Sequence, residues 1–442
     1  MASSTATLEK IVALCKRRGF IFQSAEIYGG INGVYDAGPM GTLMKENIKT
    51  AWKQSLLSQL DKDIVFLDGA QLGTEAMWKA SGHLENFHDP LVECKACNAR
   101  FRADDIDLNG NCSRCGKKNW TEVREFNLMF KTQLGASVEQ SSSAYLRPET
   151  AQSIFVNFKN VLTSSRVKIP FGIAQIGKAF RNEVTPKQFI FRMREFEQME
   201  MEWFCSAASA LDFYAFWREE RRKFYSAIGI APEHIHMRDH DKDELSHYSS
   251  GTADVEYDFP FGRKELEGIA YRGNYDLTQH SAHSGKDLAV FDDAAGASFV
   301  PHVVECSVGV DRLFLTLLLE AYAEEETEGG PRTVLRLHPS IAPIKAAFCP
   351  LVDKLSEPFE KVYRRFRACG HSVQFDSSGS IGKRYRRQDE IGTPYCFTYD
   401  FDSEKDGKVT IRYRDDMRQE RIDISAIDAF VNVKGPFIAP NC

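Results

Sequence analysis

Two stretches, Phe171 to Glu183 and Phe191 to Phe204, are dense in β-branched and aromatic residues and are separated by a short segment containing Pro186. That pattern predicts two antiparallel strands joined by a loop. Because side chains alternate between the faces of a strand, the second strand carries Arg192, Arg194, Phe196, Gln198, Glu200 and Glu202 on one face. Its other face carries Phe191, Met193, Met199, Met201 and Trp203, interrupted by Glu195 and Glu197. In the first strand Gln175, Arg181 and Glu183 share a face. An apolar face can thus pack on a core while the opposite one offers arginines, carboxylates and an aromatic ring. Such a surface can hold an anion, a flat base and an ammonium group together.

The rest of the chain frames this hairpin. At 442 residues, with 43% hydrophobic and 27% charged residues, it is expected to form two or three globular domains. No apolar run approaches the ~20 residues that span a bilayer, and the N-terminus lacks the layout of a signal peptide. The expectation is a cytoplasmic protein without membrane contact. The net charge of −6 excludes a general polyanion binder. An odd count of 11 cysteines argues against a secreted disulfide framework.

Met44, Ile48, Trp52, Leu56 and Leu60 recur every four residues and predict a helix over Lys45 to Leu60, with Pro39 and Gly41 ahead of it. Ile64 to Leu67 suits a buried strand. Val303 to Cys306 suits a strand turning at Gly309 into a helix over Asp311 to Glu326, which Glu328–Pro331 breaks. Beyond it, Lys345 to Cys349 and Glu357 to Ala368 alternate strand and helix, as a small α/β domain does.

Cys94, Cys97, Cys112 and Cys115 form two C-x2-C pairs, the pattern of a structural zinc ribbon. Gly172-x4-Gly177-Lys178 is not a phosphate loop, because Ala179 replaces the hydroxyl residue and no helix opens there. Arg312 falls in a first helical turn, where it can hold a phosphate. Tyr145 to Thr150 repeats the theme, with Arg147 and Glu149 expected on one strand face, and Glu265 and Glu267 add acids. The cluster His234, His236, His240 and His247, and the pair His280 and His283, are expected to be ordinary polar residues. Lys361 to Arg387 is a basic stretch interleaved with Tyr363, Phe366, Phe375 and Tyr385, a mixture suited to RNA. Within it, Gly379 to Gly382 has a faint likeness to the RNA-clamping loop of KH domains.

Three blocks resemble the motifs of class II aminoacyl-tRNA synthetases: Pro39 with its helix, the Arg181 hairpin, and the turn Gly309–Arg312. Finer strings are similar to the homodimeric type of glycyl-tRNA synthetase. They are Ser81–His83, Phe101–Asp104, Phe126–Phe130, Leu146–Gln152, Phe180–Glu183, Arg194–Glu200, Glu267–Ala270 and, in the tail, Asp376–Arg384. The likeness covers nearly the whole chain. It departs from the family at Ser153, commonly glycine there, and over Tyr271–Asn274, neither expected to touch the chemistry.

The resemblance implies an α+β fold: an antiparallel sheet flanked by helices over residues 1–335, a zinc-ribbon-like insertion at 91–120, and an α/β anticodon-binding domain at 336–442. It implies ATP-dependent ligation of glycine to tRNA(Gly) through a glycyl-adenylate, by a homodimer using Mg2+ and structural Zn2+. Arg181, Glu183 and Arg312 would be catalytic: Arg181 on the α-phosphate, Glu183 on the adenine amino edge, Arg312 on the γ-phosphate. The ATP site would comprise these with Asn182, Phe191, Arg192, Met193, Arg194, Glu195, Phe196 (stacked on adenine), Glu265, Leu266, Gly309, Val310 and Asp311. Glycine would meet Arg102, Glu149, Phe196, Glu197, Gln198, Met199, Glu200, Glu305, Cys306, Ser307, Val308 and Gly309. The alternatives are a prolyl or threonyl enzyme of the same class, or a non-catalytic synthetase-like subunit that binds nucleic acid.

Overall fold

The computed structural model describes residues 6–59, 61–136, 142–241, 244, 251–292, 296–433 and 435–438. Helix α1 (Leu8–Arg18) is capped by Thr7 at its start and by left-handed Gly19 at its end. Helix α2 spans Pro39–Leu57, so it begins earlier than the apolar stripe predicts. Pro39 takes the first helical position, which needs no N–H. Gly41 lies inside the helix because a Cβ there would collide with the Phe20 carbonyl oxygen.

A seven-stranded sheet follows: β1 (Asp63–Leu67), β2 (Phe171–Phe180), β3 (Glu195–Cys205), β4 (Ile235–Asp239), β5 (Gly251–Phe259), β6 (Gly262–Gly273) and β7 (His302–Gly309). Its spatial order is β4-β5-β6-β7-β3-β2-β1, antiparallel except for β1 beside β2. β1 is an edge strand, and of its residues Ile64 alone is buried. The Gly172–Lys178 segment lies within β2, as expected of a strand and not of a phosphate loop. The β2–β3 pairing confirms the predicted hairpin, although residues 189–191 form a 3-10 turn before β3.

One face of the sheet carries Met199, Met201, Trp203, Val304, Cys306 and Val308 into the main core. There they pack with α2 and with helices α3 (Ala210–Ala227) and α4 (Val310–Ala321). The opposite face is apolar only at one end, where Phe171, Ile173, Phe204 and Val303 meet helices 151–165 and 275–284. The remainder of that face is open and polar. Residues 88–127 form a separate three-stranded sheet (His88–Glu93, Arg100–Arg102, Arg124–Asn127) that carries the four cysteines.

Helix α4 ends at Ala321, and Tyr322–Thr327 is instead a strand, β8, paired with β9 (Gly330–Leu335). The acidic run predicted as the helix end therefore alternates along a hairpin, and Glu328–Pro331 makes its turn. The alternation lets Glu324 bond Lys10 and Glu325 bond Arg332. Beyond it a five-stranded sheet contains β10 (Ala346–Pro350), β11 (Val373–Phe375), β12 (Tyr395–Tyr399), β13 (Lys408–Tyr413) and β14 (Gln419–Asp423), in the order β11-β10-β12-β13-β14. It packs with helix α5 (Ser356–Ala368) around its own core.

Helix α6 (Ile381–Ile391) joins this unit to the hairpin. Its Asp389, fully buried, accepts from Arg332 of β9 at 2.9 Å and from Arg412 of β13 at 2.9 and 3.1 Å. Removing the shared acid leaves buried Arg412 without its counter-charge and Arg332 with Glu325 alone, which is costly. Asp389→Asn should lower the free energy of the first urea transition by about 3–5 kcal/mol. A loss below about 1 kcal/mol would mean that solvent reaches the pair.

Candidate active site

The open part of the polar sheet face is the floor of a cavity of about 590 Å3, within the size range of small-molecule sites. Strand register builds it in rows. Gln175 of β2, Glu200 of β3, Ser307 of β7 and Gly268 of β6 lie abreast. The next row is Ile173, Glu202, Glu305 and Ala270.

One end of the cavity is acidic. Glu200 is buried and accepts from the Thr150 amide at 2.8 Å, the Thr150 hydroxyl, Gln198 Nε2 at 3.1 Å and Ser307 Oγ at 2.6 Å. Burial and the neighbouring Glu149 nevertheless raise its pKa. Glu149 sits 3.3 Å from His83 Nε2 and accepts from Gln152 at 3.2 Å. Burial opposes its ionisation, but His83 and Arg272 outweigh it and hold the carboxyl well below the usual range. Glu305 accepts from Arg272 at 2.7 Å, and Arg272 also grips Asp276 with two bonds of 2.8 and 2.9 Å. Burial pushes Glu305 up to about 7 despite that arginine.

The other end is cationic and aromatic. The Arg181 guanidinium lies between the rings of Phe87 and Phe196, 5.3 and 5.2 Å from their centroids, and donates to the Pro148 carbonyl at 3.1 Å. The Arg312 guanidinium stacks 4.6 Å from the Phe191 ring and sits 3.4 Å from the Glu265 carboxylate. That arginine is the main reason Glu265 stays below the usual carboxylate range. A bulge in β6 opposite Val255 and Glu256 separates Glu265 from Glu267. Glu265 lines the cavity, whereas Glu267 points into the core, bonded to Arg221 and Tyr225.

Of the expected residues, the cavity gathers Glu149, Arg181, Glu183, Phe191, Arg192, Met193, Phe196, Glu197, Gln198, Glu200, Glu265, Leu266, Glu305, Ser307, Gly309, Asp311 and Arg312. It does not gather Met199, Cys306 or Val308, whose side chains alternation sends into the core, nor Val310, which opens α4 and is buried there. Asn182 lies beside the cavity, its amide bonded to Leu128. Glu195 pairs with Lys178. Arg194 braces the backbone, donating to the carbonyls of Glu183 and Asn32. Arg102 is also outside: it pairs with Asp89 at 2.9 Å and Asp104 at 2.6 Å. Glu197 and Asp311 reach the cavity wall but are bound to Lys45 of α2 at 3.0 and 2.9 Å.

Arg147 and Glu149 do not share a face. The strand that holds them ends at Leu146, and Arg147 turns to the carbonyls of Lys178 and Gly69. Of the two departures from the family pattern, the Tyr271–Asn274 stretch does touch an expected site residue, whereas Ser153 does not. Ser153 Oγ bonds the Thr150 carbonyl and Gln175, and Arg272 bonds Glu305. His83, Asn86, Phe87, His240, Thr252 and Asp254, none of them an expected site residue, also line the cavity. The Ser81–His83 string was the one signal for His83. The others depend on long-range pairing that sequence spacing cannot show.

His234, His236 and His240 each face one carboxylate, Glu320, Asp258 and Asp254. His247 lies outside the described residues. Among the described residues the one group suited to a metal is Cys94, Cys97, Cys112 and Cys115, whose sulfurs lie within 4.8 Å of one another. Two of the separations are 3.7 and 3.8 Å. A tetrahedron with ~2.3 Å zinc–sulfur bonds has edges of about 3.8 Å. The basic stretch at 361–387 is partly neutralised: Arg364 faces Glu360, Arg365 faces Asp428, and Arg387 faces Asp376.

The tRNA synthetase class II core domain (G, H, P, S and T) matches residues 130–322, and the anticodon binding domain matches residues 341–434. The fold is that of a class II aminoacyl-tRNA synthetase. A crystal structure of prolyl-tRNA synthetase from Cryptosporidium parvum, complexed with L-proline and AMP, has a TM-score of 0.63 at 15% identity. It covers 96% of this chain and 74% of that one, a likeness of fold. A glycine--tRNA ligase of Caldanaerobacter subterraneus subsp. tengcongensis is 50% identical over 98% of this chain and 99% of its own. That of Geobacillus thermodenitrificans is 48% identical over 98% of each. The chain belongs to the glycine--tRNA ligase family.

Proposed function

We propose that this enzyme ligates glycine to tRNA(Gly) with ATP, through a glycyl-adenylate held in the cavity described above. One observation carries the reading: a single cavity has guanidinium groups and aromatic rings at one end and three carboxylates around a small hollow at the other. Arg181 and Arg312 suit the triphosphate, Phe196 the adenine face, and Glu183 its amino edge. Glu149, Glu200 and Glu305, with Ser307, suit the amino acid's ammonium.

The glycine carboxylate needs no base, because it is already ionised at neutral pH. Its oxygen attacks the α-phosphorus and pyrophosphate departs, a reaction in which positioning and charge neutralisation do most of the work. Glu265 lines the cavity beside Arg312 and suits Mg2+, which when bound would neutralise charge on the phosphates. A ribose hydroxyl at the tRNA end then attacks the carbonyl of the adenylate. Glycine has no side chain to grip, so selection comes from carboxylates on its ammonium and from walls without room for a Cβ. Thr150, Gln198 and Ser307 tie Glu200 in place, so that wall cannot yield cheaply. Arg102, outside the cavity here, links the cysteine-bearing sheet to it through Asp89, which also faces Arg192 at 3.8 Å.

Residues 1–335 would form the catalytic unit, with the insertion at 91–120, and residues 336–442 the anticodon-binding unit. We place the protein in the cytosol with its tRNA; no helix among the described residues is long and apolar enough to cross a membrane. The four cysteines fit zinc by geometry and donor type. A homodimer is supported by apolar side chains ahead of α2, where Ile27 and Tyr28 are 88% and 87% exposed and Ile31 lies nearby at 51%.

Glycine-dependent ATP–pyrophosphate exchange tests the assignment. Glu200→Gln should raise the KM for glycine about tenfold or more while the KM for ATP moves by less than about twofold. Arg181→Ala should lower exchange by about 10^2-fold or more. Equal effects of Glu200→Gln on both substrates, or exchange retained by Arg181→Ala, would refute these roles. Native mass spectrometry of the full chain should show a dimer with one zinc per chain, and Cys97→Ser should lose the metal. A metal-free monomer would contradict both proposals.

A further inference from the structure

Glu202 is a buried acid that the steps above do not use. It lies on the cavity face of β3, one row below Glu200 and directly opposite Glu305 of β7. It is 0% exposed, and neither of its carboxylate oxygens has a hydrogen-bond partner among the described residues. Ile173 of β2, on its other side, offers no donor.

The charged groups around it come from every neighbouring element. They are Glu200 on its own strand, Glu305 on β7, Arg272 at the end of β6, and Asp276 in helix 275–284. Glu149, ahead of helix 151–165, acts on Glu200 and Glu305 in turn. His83 faces Glu149, and His280 is bonded to Gln152. Arg272 is the guanidinium among these groups, and it donates to both Asp276 and Glu305. Five carboxyls therefore converge on one guanidinium, and closely packed acids cannot all ionise. Burial without a donor makes Glu202 the hardest of them to ionise, and its neighbours Glu305 and Glu200 add to the effect.

We propose that Glu202 is a positioning residue that stores a proton beneath the empty amino-acid hollow and releases it when the glycine ammonium docks. The ammonium supplies the positive charge that the acid cluster lacks. The O–H bond of Glu202 breaks, its electron pair stays on the carboxylate, and the proton leaves to the buffer. Glu202 touches no substrate and acts through the charge it leaves beside Glu305. The empty enzyme thereby avoids an array of mutually repelling anions, and full negative charge develops when a cation is present to balance it. A ligand of the same shape without an ammonium cannot discharge the proton.

This rests on the functional reading above, and the two fail differently. The full chain is titrated calorimetrically at pH 7 in phosphate and in Tris, whose ionisation enthalpies differ. The probes are 5′-O-(glycylsulfamoyl)adenosine and its acetylsulfamoyl counterpart, which has no amine. The glycyl ligand should release about one proton more per site than the acetyl ligand. Glu202→Gln, neutral and of the same size, should fold and abolish that difference while binding the acetyl ligand as the unaltered chain does. Equal proton release by the two ligands, or a difference undiminished in Glu202→Gln, would overturn the proposal and leave the function intact. Should Glu202→Gln fail to fold, the two-ligand comparison on the unaltered chain decides alone. Failure of both ligands to bind would overturn the functional reading and this inference with it.

Discussion

The antiparallel pairing of β3 with β7 sets what chemistry this chain can do. It places Glu200 against Ser307 and Glu202 against Glu305 on one face, and the methionines, Trp203, Cys306 and Val308 on the other. A slip of one residue would exchange the faces. It would drive carboxylates into the apolar core, where the buried cation Arg221 is already taken by Glu267. The apolar packing beneath the sheet therefore holds the acidic hollow in register, and the fold tolerates like charges side by side because the opposite face fixes them there.

The site is further braced from outside the sheet. Lys45 reaches from α2 to both Glu197 and Asp311, and the Asp311 carboxylate also accepts from the Glu197 amide at 2.9 Å. One buried ammonium thus ties together α2, β3 and the start of α4, keeping Phe196 and Arg312 in fixed relation. The acids around Lys45 raise its pKa, although burial alone would lower it. Arg272 does the same service at the acidic end, anchoring Glu305 through its grip on Asp276. Each end of the cavity so has one buried cation that orders carboxylates without filling the space a substrate needs.

Much of this was legible in the residues. Period-two alternation predicted Phe196, Gln198 and Glu200 on the cavity face and Met199, Met201 and Trp203 in the core, but it misplaced Phe191 and Met193, which line the cavity because a 3-10 turn precedes β3, as well as Glu197 and Arg194. The paired cysteines predicted a cluster whose sulfurs do converge. The contiguous runs 191–196 and 305–309 over-predicted the site: alternation sends Cys306 and Val308 into the core, while Arg194 turns to backbone carbonyls and Glu195 to Lys178. Arg102 was placed by family likeness, but local acids, Asp89 and Asp104, hold it outside. The acidic end of α4 resembled helix because Glu has good helix propensity. Pairing with β9 overrode it, a contact that local sequence does not reveal. Arg272, Phe87 and Lys45 went without roles because their partners lie far off in the chain.

On this reading one cavity holds a nucleotide at its arginine end and an ammonium at its acidic end. A crystal structure of the full chain with 5′-O-(glycylsulfamoyl)adenosine tests it most directly. The account predicts the ammonium among Glu149, Glu200 and Glu305, with the adenine against Phe196. An ammonium outside that trio of acids, or an adenine lodged in the acidic hollow, would contradict it.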